Sequence, residues 1–152
     1  MIKDSGNRRA FSSGAVRDIQ EGKGRCDLMP LAVVASLIDT HTGGDYILRL
    51  IARFAGSGNT KHLYYALANF ALVAYEGSCE TMTLEVSKHF EEGAKKYGEN
   101  NWQKGIPVNC YLDSAIRHYL KYRRGDKDEP HDRAFVWNIM CCIWEVDHRD
   151  KD

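Results

Sequence analysis

Neither sign of charge prevails in this chain. Lys plus Arg and Asp plus Glu each total 21, so the formal net charge at pH 7 is zero. That balance excludes a bulk nucleic-acid binder, which needs a basic surface, and leaves room only for a local basic pocket. No apolar run approaches the roughly 20 residues a membrane span requires. The opening segment MIKDSGNRRAF has no apolar signal core. There is no Cys-x-x-Cys. The five cysteines (Cys26, Cys79, Cys110, Cys141 and Cys142) are odd in number and two are adjacent. This argues against a disulfide scaffold or a zinc knot, and for reduced thiols in a cytoplasmic protein. No repeat, low-complexity block or strand-like alternation stands out. The glycine-rich start lacks the spacing of a Walker phosphate loop.

What remains is helical periodicity. The length of 152 residues suits one domain with a real core. Residues 1–29 are polar and glycine-rich, which predicts an extended or irregular arm. Its Arg17, Lys23 and Arg25 could offer cations to a phosphate, or simply be a flexible basic segment. Pro30 opens a first helix. Gly43 and Gly44 break the chain, and Asp45 is placed to cap a second helix ending near Phe54. Asn59 or Thr60 caps a third, with the stripe Leu63, Ala66, Leu67, Phe70, Ala71 and Ala74. Further helices are predicted over 80–97, 110–124 and 130–145. The expected fold is all-α: a helical bundle over 30–147 with an irregular N-terminal arm and a charged tail over 148–152. His41, in a glycine-flanked turn, has no assigned role, and His62 and His148 read as polar or solvated contacts.

The polar residues that periodicity leaves unexplained lie between Phe90 and Asn138. On the fourth helix Val86, Phe90, Gly93, Ala94 and Tyr97 share a face that must be buried. His89, Glu92 and Lys96 border it, whereas Glu91 and Lys95 point toward solvent. Glu92 and Lys96 could equally be a surface ion pair. On the fifth helix Asp113, Arg117 and Lys121 recur every four residues, as an ion-pair ladder or as an anion-facing wall. His118 lies apart from them and fits a packed core residue as readily as a ligand. The sixth helix is apolar almost all round and therefore central. Yet His131, Asn138 and Glu145 follow one another at seven-residue intervals along it. Buried polar groups demand partners. Asp126, Asp128 and Glu129 stand just upstream, and acidic oxygens beside a histidine suit Mg²⁺ or Mn²⁺. In the loop NNWQKG, Trp102 between Asn101 and Lys104 could stack a base near a phosphate, or plug the bundle end.

Four segments in order, GKGRCDLMP, EEGAKKYGENNWQKG, DSAIRH and DEPHDRAFVWN, resemble the dATP/dGTP diphosphohydrolase N-terminal-domain family. This phage-associated family has MazG-like nucleotide pyrophosphohydrolase relatives. The resemblance covers most of the chain except about 31–85. It implies a MazG-like all-α fold, self-association into dimers or tetramers, and residence in the cytoplasm of an infected bacterium. It also implies Mg²⁺-dependent cleavage of a deoxynucleoside triphosphate to monophosphate and pyrophosphate. The matching positions are Arg25 and Asp27; Lys96, Tyr97, Asn101 and Trp102; Arg117 and His118; and Asp128, His131 and Asn138. The E-x-x-E and E-x-x-D metal patterns of MazG-like enzymes do not fall cleanly on the expected helices. Glu92, Asp113, Asp128 and Glu129 stand in for them as metal ligands.

The mechanism expected on this basis uses Mg²⁺ to polarise the phosphates and Glu92 or His131 to orient or deprotonate the water. Arg25, Lys96, Lys104 and Arg117 would meet phosphates, and Tyr97 or Trp102 the base. One alternative is a protein that binds a nucleotide or a nucleotide-derived signal without cleaving it. Another is an HD-type metal phosphohydrolase built on His131–Asp132, with His89 or His118 before it and Asp147, Asp150 or Asp152 after it.

Overall fold

Each helix begins and ends where the local chemistry allows. In the computed structural model, residues 3–42 and 46–149 are described, without the side chains of 39–42. Gly43, Gly44, the proposed Asp45 cap, the His41 side chain, Asp150 and Asp152 lie outside them. The helices are α1 (Leu31–Thr42), α2 (Ile47–Ser57), α3 (Lys61–Ala74), α4 (Cys79–Tyr97), α5 (Val108–Arg124) and α6 (His131–His148). The helix α1 starts directly after Pro30, α5 after Pro107 and α6 after Pro130, because proline's fixed φ suits a helix start and its missing N–H costs nothing there. Ser78 caps α4 by accepting the Thr81 N–H at 3.0 Å. The helix α5 stops at Gly125, whose φ of 89° an L side chain rarely adopts. The fold is predominantly all-α, as periodicity predicts. The helix α6 runs three residues past the expected end at Glu145, to His148, whose ring stacks on Trp144 at 4.1 Å.

The core is aromatic at its centre. Phe70 of α3 meets Phe135 of α6 at 4.7 Å between centroids and Tyr119 of α5 at 6.1 Å. Ile116, Ile139 and Val136 fill the space around them and are fully buried. The helices α5 and α6 form the most extensive pair, α4 lies across α6, and α2 packs on α3. All five cysteines are free, and Cys110, Cys141 and Cys142 are buried. Among the described residues no helix is long and apolar enough to cross a membrane.

The arm departs from expectation. Within an otherwise irregular stretch, β1 (Arg8–Ala10) and β2 (Val16–Asp18) form an antiparallel hairpin pairing Arg8 with Asp18 and Ala10 with Val16. A short 3-10 turn follows at Cys26–Leu28. Three-residue strands are too short to show alternation. The hairpin is completed from outside instead. The Asn101 side chain accepts the Val16 N–H at 2.9 Å and donates to the Val16 carbonyl at 2.8 Å, as a neighbouring strand's backbone would.

Candidate functional site

Three of the contacts that fasten the arm to the helical body stand out. The first is the Asn101 clamp on β2. The second is Asp113, buried on α5, which accepts the Cys26 N–H at 2.6 Å, Gln20 Nε2 at 3.1 Å and Arg117 Nη2 at 2.6 Å. The third is Arg117, which also donates to the carbonyls of Lys23 at 3.2 Å and Gly24 at 2.8 Å. Asp113 and Arg117 thus resolve the expected ladder-or-wall ambiguity as a buried brace.

The docked arm closes one side of a cavity of about 620 Å³, within the range of small-molecule sites. The arm contributes Lys3, Asp4, Arg17, Asp18 and Lys23; α4 contributes His89, Gly93 and Tyr97. The wall from α5 is Ser114, Arg117, His118 and Lys121, and α6 adds Trp137 and Asn138, with Glu129 just before it.

Arg17 dominates the electrostatics. Its Nη2 donates to Ser114 Oγ at 2.8 Å and Asn138 Oδ1 at 3.2 Å. Its guanidinium lies over the rings of Tyr111 at 5.4 Å and Trp137 at 5.8 Å. No carboxylate stands within ion-pair distance of it among the described residues, and burial, with a smaller contribution from the Arg9 charge, pushes its pKa down. Arg17 Nη1, Trp137 Nε1 and His89 Nδ1 are buried with no hydrogen-bond partner among the described residues, although all three residues line the cavity. A buried charge without a counter-ion is costly, and so is each unmet donor. Burial lowers the His89 pKa to about 4, so this imidazole is neutral near pH 7.

A second line of groups runs from the surface to the same cavity. Lys3 Nζ meets Asp128 Oδ2 at 2.7 Å, Asp128 Oδ1 meets His131 Nε2 at 2.7 Å, and His131 Nδ1 meets His118 Nδ1 at 2.9 Å. Lys3 and His131 hold the Asp128 carboxyl well below the usual range. Burial, and then the neighbouring His131, hold the His118 pKa well below that of a free histidine. Because Asp128 is ionised, His131 Nε2 carries a proton. In the tautomer that donates from Nε2 alone, His131 presents its Nδ1 lone pair to the His118 Nδ1–H, which leaves the lone pair of His118 on Nε2. His118 is thereby a base oriented by a second histidine and a carboxylate.

The donor set does not match an Mg²⁺ cage. Among the described residues Glu92, Asp113, Asp128 and Glu129 do not converge. The groups whose ligand atoms do cluster are His118–Glu129–His131 and Asp126–Asp128–His131. Both contain histidine nitrogen, whereas Mg²⁺ selects oxygen. Asp126 is also paired with Arg124, and Asp128 with Lys3.

Of the residues picked out from sequence, Tyr97, Asn101, Arg117, His118, Glu129 and Asn138 line the cavity, with Asp128 and His131 behind His118. Six others do not line it. Arg25 forms a two-bond pair with Asp27 on the surface. Trp102 plugs the bundle end, edge-on to Phe90 and Trp144. Lys104 is exposed, Asp113 is consumed by the brace, and Glu92 and Lys96 lie outside the wall. The HD arrangement is not formed: Asp132 accepts from Tyr75 Oη at 3.0 Å and joins neither metal-competent group. Sequence reasoning passed over Ser114 and Trp137 as site residues, named Arg17 only as one of three arm cations for a phosphate, and weighed His89 only for the HD-type alternative. The signal for Trp137 was its place beside Asn138 on a helix already marked by buried polarity. Arg17 had no local signal beyond its glycine-rich surroundings.

Searches of curated proteins and of solved structures each found no match. A family profile, described as dATP/dGTP diphosphohydrolase, N-terminal, matches residues 59–152, more than half of the chain. That segment supplies the α4, α5 and α6 walls of the cavity, and on it the chain belongs to the dATP/dGTP diphosphohydrolase N-terminal family.

Proposed function

We propose that this chain is a nucleotide pyrophosphohydrolase acting on a dATP- or dGTP-like deoxynucleoside triphosphate and releasing monophosphate and pyrophosphate. The observation that carries the reading is Arg17: a buried guanidinium with no carboxylate partner, lining a cavity large enough for a nucleotide. Such a group is complete only when a ligand supplies acceptors or negative charge. Lys23 and Lys121 add cations to the same walls, and the family's description supports nucleotide hydrolysis in general.

In this reading a water attacks the α-phosphorus, the bond from that phosphorus to the bridging oxygen breaks, and pyrophosphate leaves with the electron pair. His118 Nε2 takes the water's proton. His131 and Asp128 fix its tautomer and aim that nitrogen, the logic of a base oriented by a third group. Mg²⁺ or Mn²⁺ enters as part of the substrate, carried on the triphosphate, since such ions commonly bind through phosphates and few protein carboxylates. The general-base role moves from Glu92 or His131 to His118, with His131 positioning it.

The dispersal of Glu92 and Asp113 away from Asp128 and Glu129 favours one rival, a protein that binds the nucleotide without cleaving it. Incubation with a panel of dNTPs and NTPs plus Mg²⁺ or Mn²⁺, followed by product separation, decides between them. Monophosphate plus pyrophosphate is expected. Tight binding with no product establishes the rival, and diphosphate or free triphosphate refutes the proposed bond cleavage. Self-association into a dimer or tetramer accords with the apolar side chains exposed on α3, among them Tyr65, Leu72 and Val73, and light scattering tests it.

A further inference from the structure

Gly93 sits within the 19-residue helix α4, where a glycine is less favourable than alanine. Mid-helix glycines usually answer to a close neighbour or to an unusual backbone angle. Neither applies here. A Cβ built on Gly93 would meet no heavy atom within 4 Å, and Gly93 is not among the positive-φ glycines. The space beside it is the cavity, and Gly93 also borders a smaller hollow of about 30 Å³ toward Phe90 and Trp102. One helical turn to either side, His89 and Tyr97 face the same cavity. The Trp137 ring stands 5.7 Å from that of His89.

This strip offers flatness and aromatic surface, with no cation of its own. Its unmet polar atoms are Trp137 Nε1, which only donates, and His89 Nδ1, in a side chain only 7 % exposed. A phosphate would find better partners at Lys23 and Lys121, on the arm and α5. A planar ring would find a bare stretch of helix backbone to lie against, an indole beside it and donors at its edge.

From this we infer that Gly93 is the seat of the nucleobase, kept free of a side chain so that the ring lies against α4 while Trp137 and His89 meet its edge. The inference rests on the nucleotide reading above. It is tested by calorimetry with the α,β-methylene analogues of dATP and dGTP, which resist cleavage at the α–β bridge, and with tripolyphosphate, which has no base. The proteins compared are wild type, Gly93→Ala and Gly93→Leu. Gly93→Ala is expected to weaken both nucleotide analogues by about tenfold or more, and Gly93→Leu to weaken them further. Tripolyphosphate affinity should stay within about twofold in all three. The ratio of nucleotide to tripolyphosphate affinity within each protein decides the matter, whatever happens to fold stability. An unchanged ratio overturns the base seat, whether both affinities hold or both fall together. If wild type binds tripolyphosphate but neither analogue, the nucleotide reading itself fails.

Discussion

Replacing His89 by glutamine should remove a defined share of the protein's acid sensitivity. In the unfolded chain a histidine titrates near pH 6.5. Buried on α4, His89 titrates at about 4. The unfolded chain therefore takes up a proton that the folded protein refuses, and protonation favours unfolding. The stability tied to His89 is full above about pH 6.5 and is lost as pH falls toward 4. One pKa unit corresponds to about 1.4 kcal/mol, so lowering the pH from about 7 to about 5 costs about 2 kcal/mol through this side chain alone. His118 is depressed by burial as well and adds a loss in the same direction. It is present in both proteins, so it largely cancels in the comparison. The assay is urea unfolding of wild type and His89→Gln at several pH values in that range. Wild type should lose about 2 kcal/mol more than the variant between the two ends. If the two stability curves run parallel, His89 is not held as a buried neutral imidazole. The account of its unmet Nδ1 then fails with it.

Arg17→Met should weaken binding of an α,β-methylene dNTP by about 10- to 100-fold, the worth of a charged hydrogen bond, and unchanged affinity in calorimetry would remove Arg17 from the site. Asp128→Asn should lower kcat by about 100-fold or more with little change in nucleotide affinity, because it disturbs the orientation of the histidine pair and not the pocket. Its acid limb in the kcat–pH profile should move as well, and an unmoved profile with normal kcat would reduce Asp128 to a surface ion pair with Lys3. Asn101→Ala deletes both hydrogen bonds to Val16, worth about 2 kcal/mol together. Trypsin should then cut at Arg8, Arg9 or Arg17 faster than in wild type while the helical body persists, and equal cleavage rates would show that the arm is held by other means.

The helices were legible because apolar residues repeat at helical spacing and because proline and glycine stand at the ends. Leu112, Ile116 and Tyr119 on α5 announce their buried face. The hairpin was not legible, since its third partner is a side chain from a loop 85 residues away. Within the site, His131 and Asn138 stood out as polar groups on an apolar helix, and both are buried. Their partners did not stand out. Nothing near Arg17 in sequence shows that it will reach Asn138, 121 residues on. The two tryptophans make the same point. Trp102 and Trp137 both fit a base-stacking role by type, but only tertiary neighbours set one in the bundle end and the other in the cavity. Asp113 entered as a metal ligand only as a stand-in for the missing MazG-like carboxylate patterns; it is in fact a buried carboxylate on α5, and the arm supplies the donors it needs.

The span of the arm's contacts also bears on the order of assembly. The bonds that hold the arm join residues 85 to 125 apart in sequence, whereas α5 and α6 adjoin along the chain and meet directly. Closing long loops is entropically slower than pairing neighbours, so the helical body forms first and the hairpin docks onto it afterwards. During synthesis the arm is made before any of its partners and must wait, undocked, until α6 has emerged. The cavity and its unpaired arginine are therefore absent from every partly folded state that lacks the docked arm, and the site matures in the closing phase of folding.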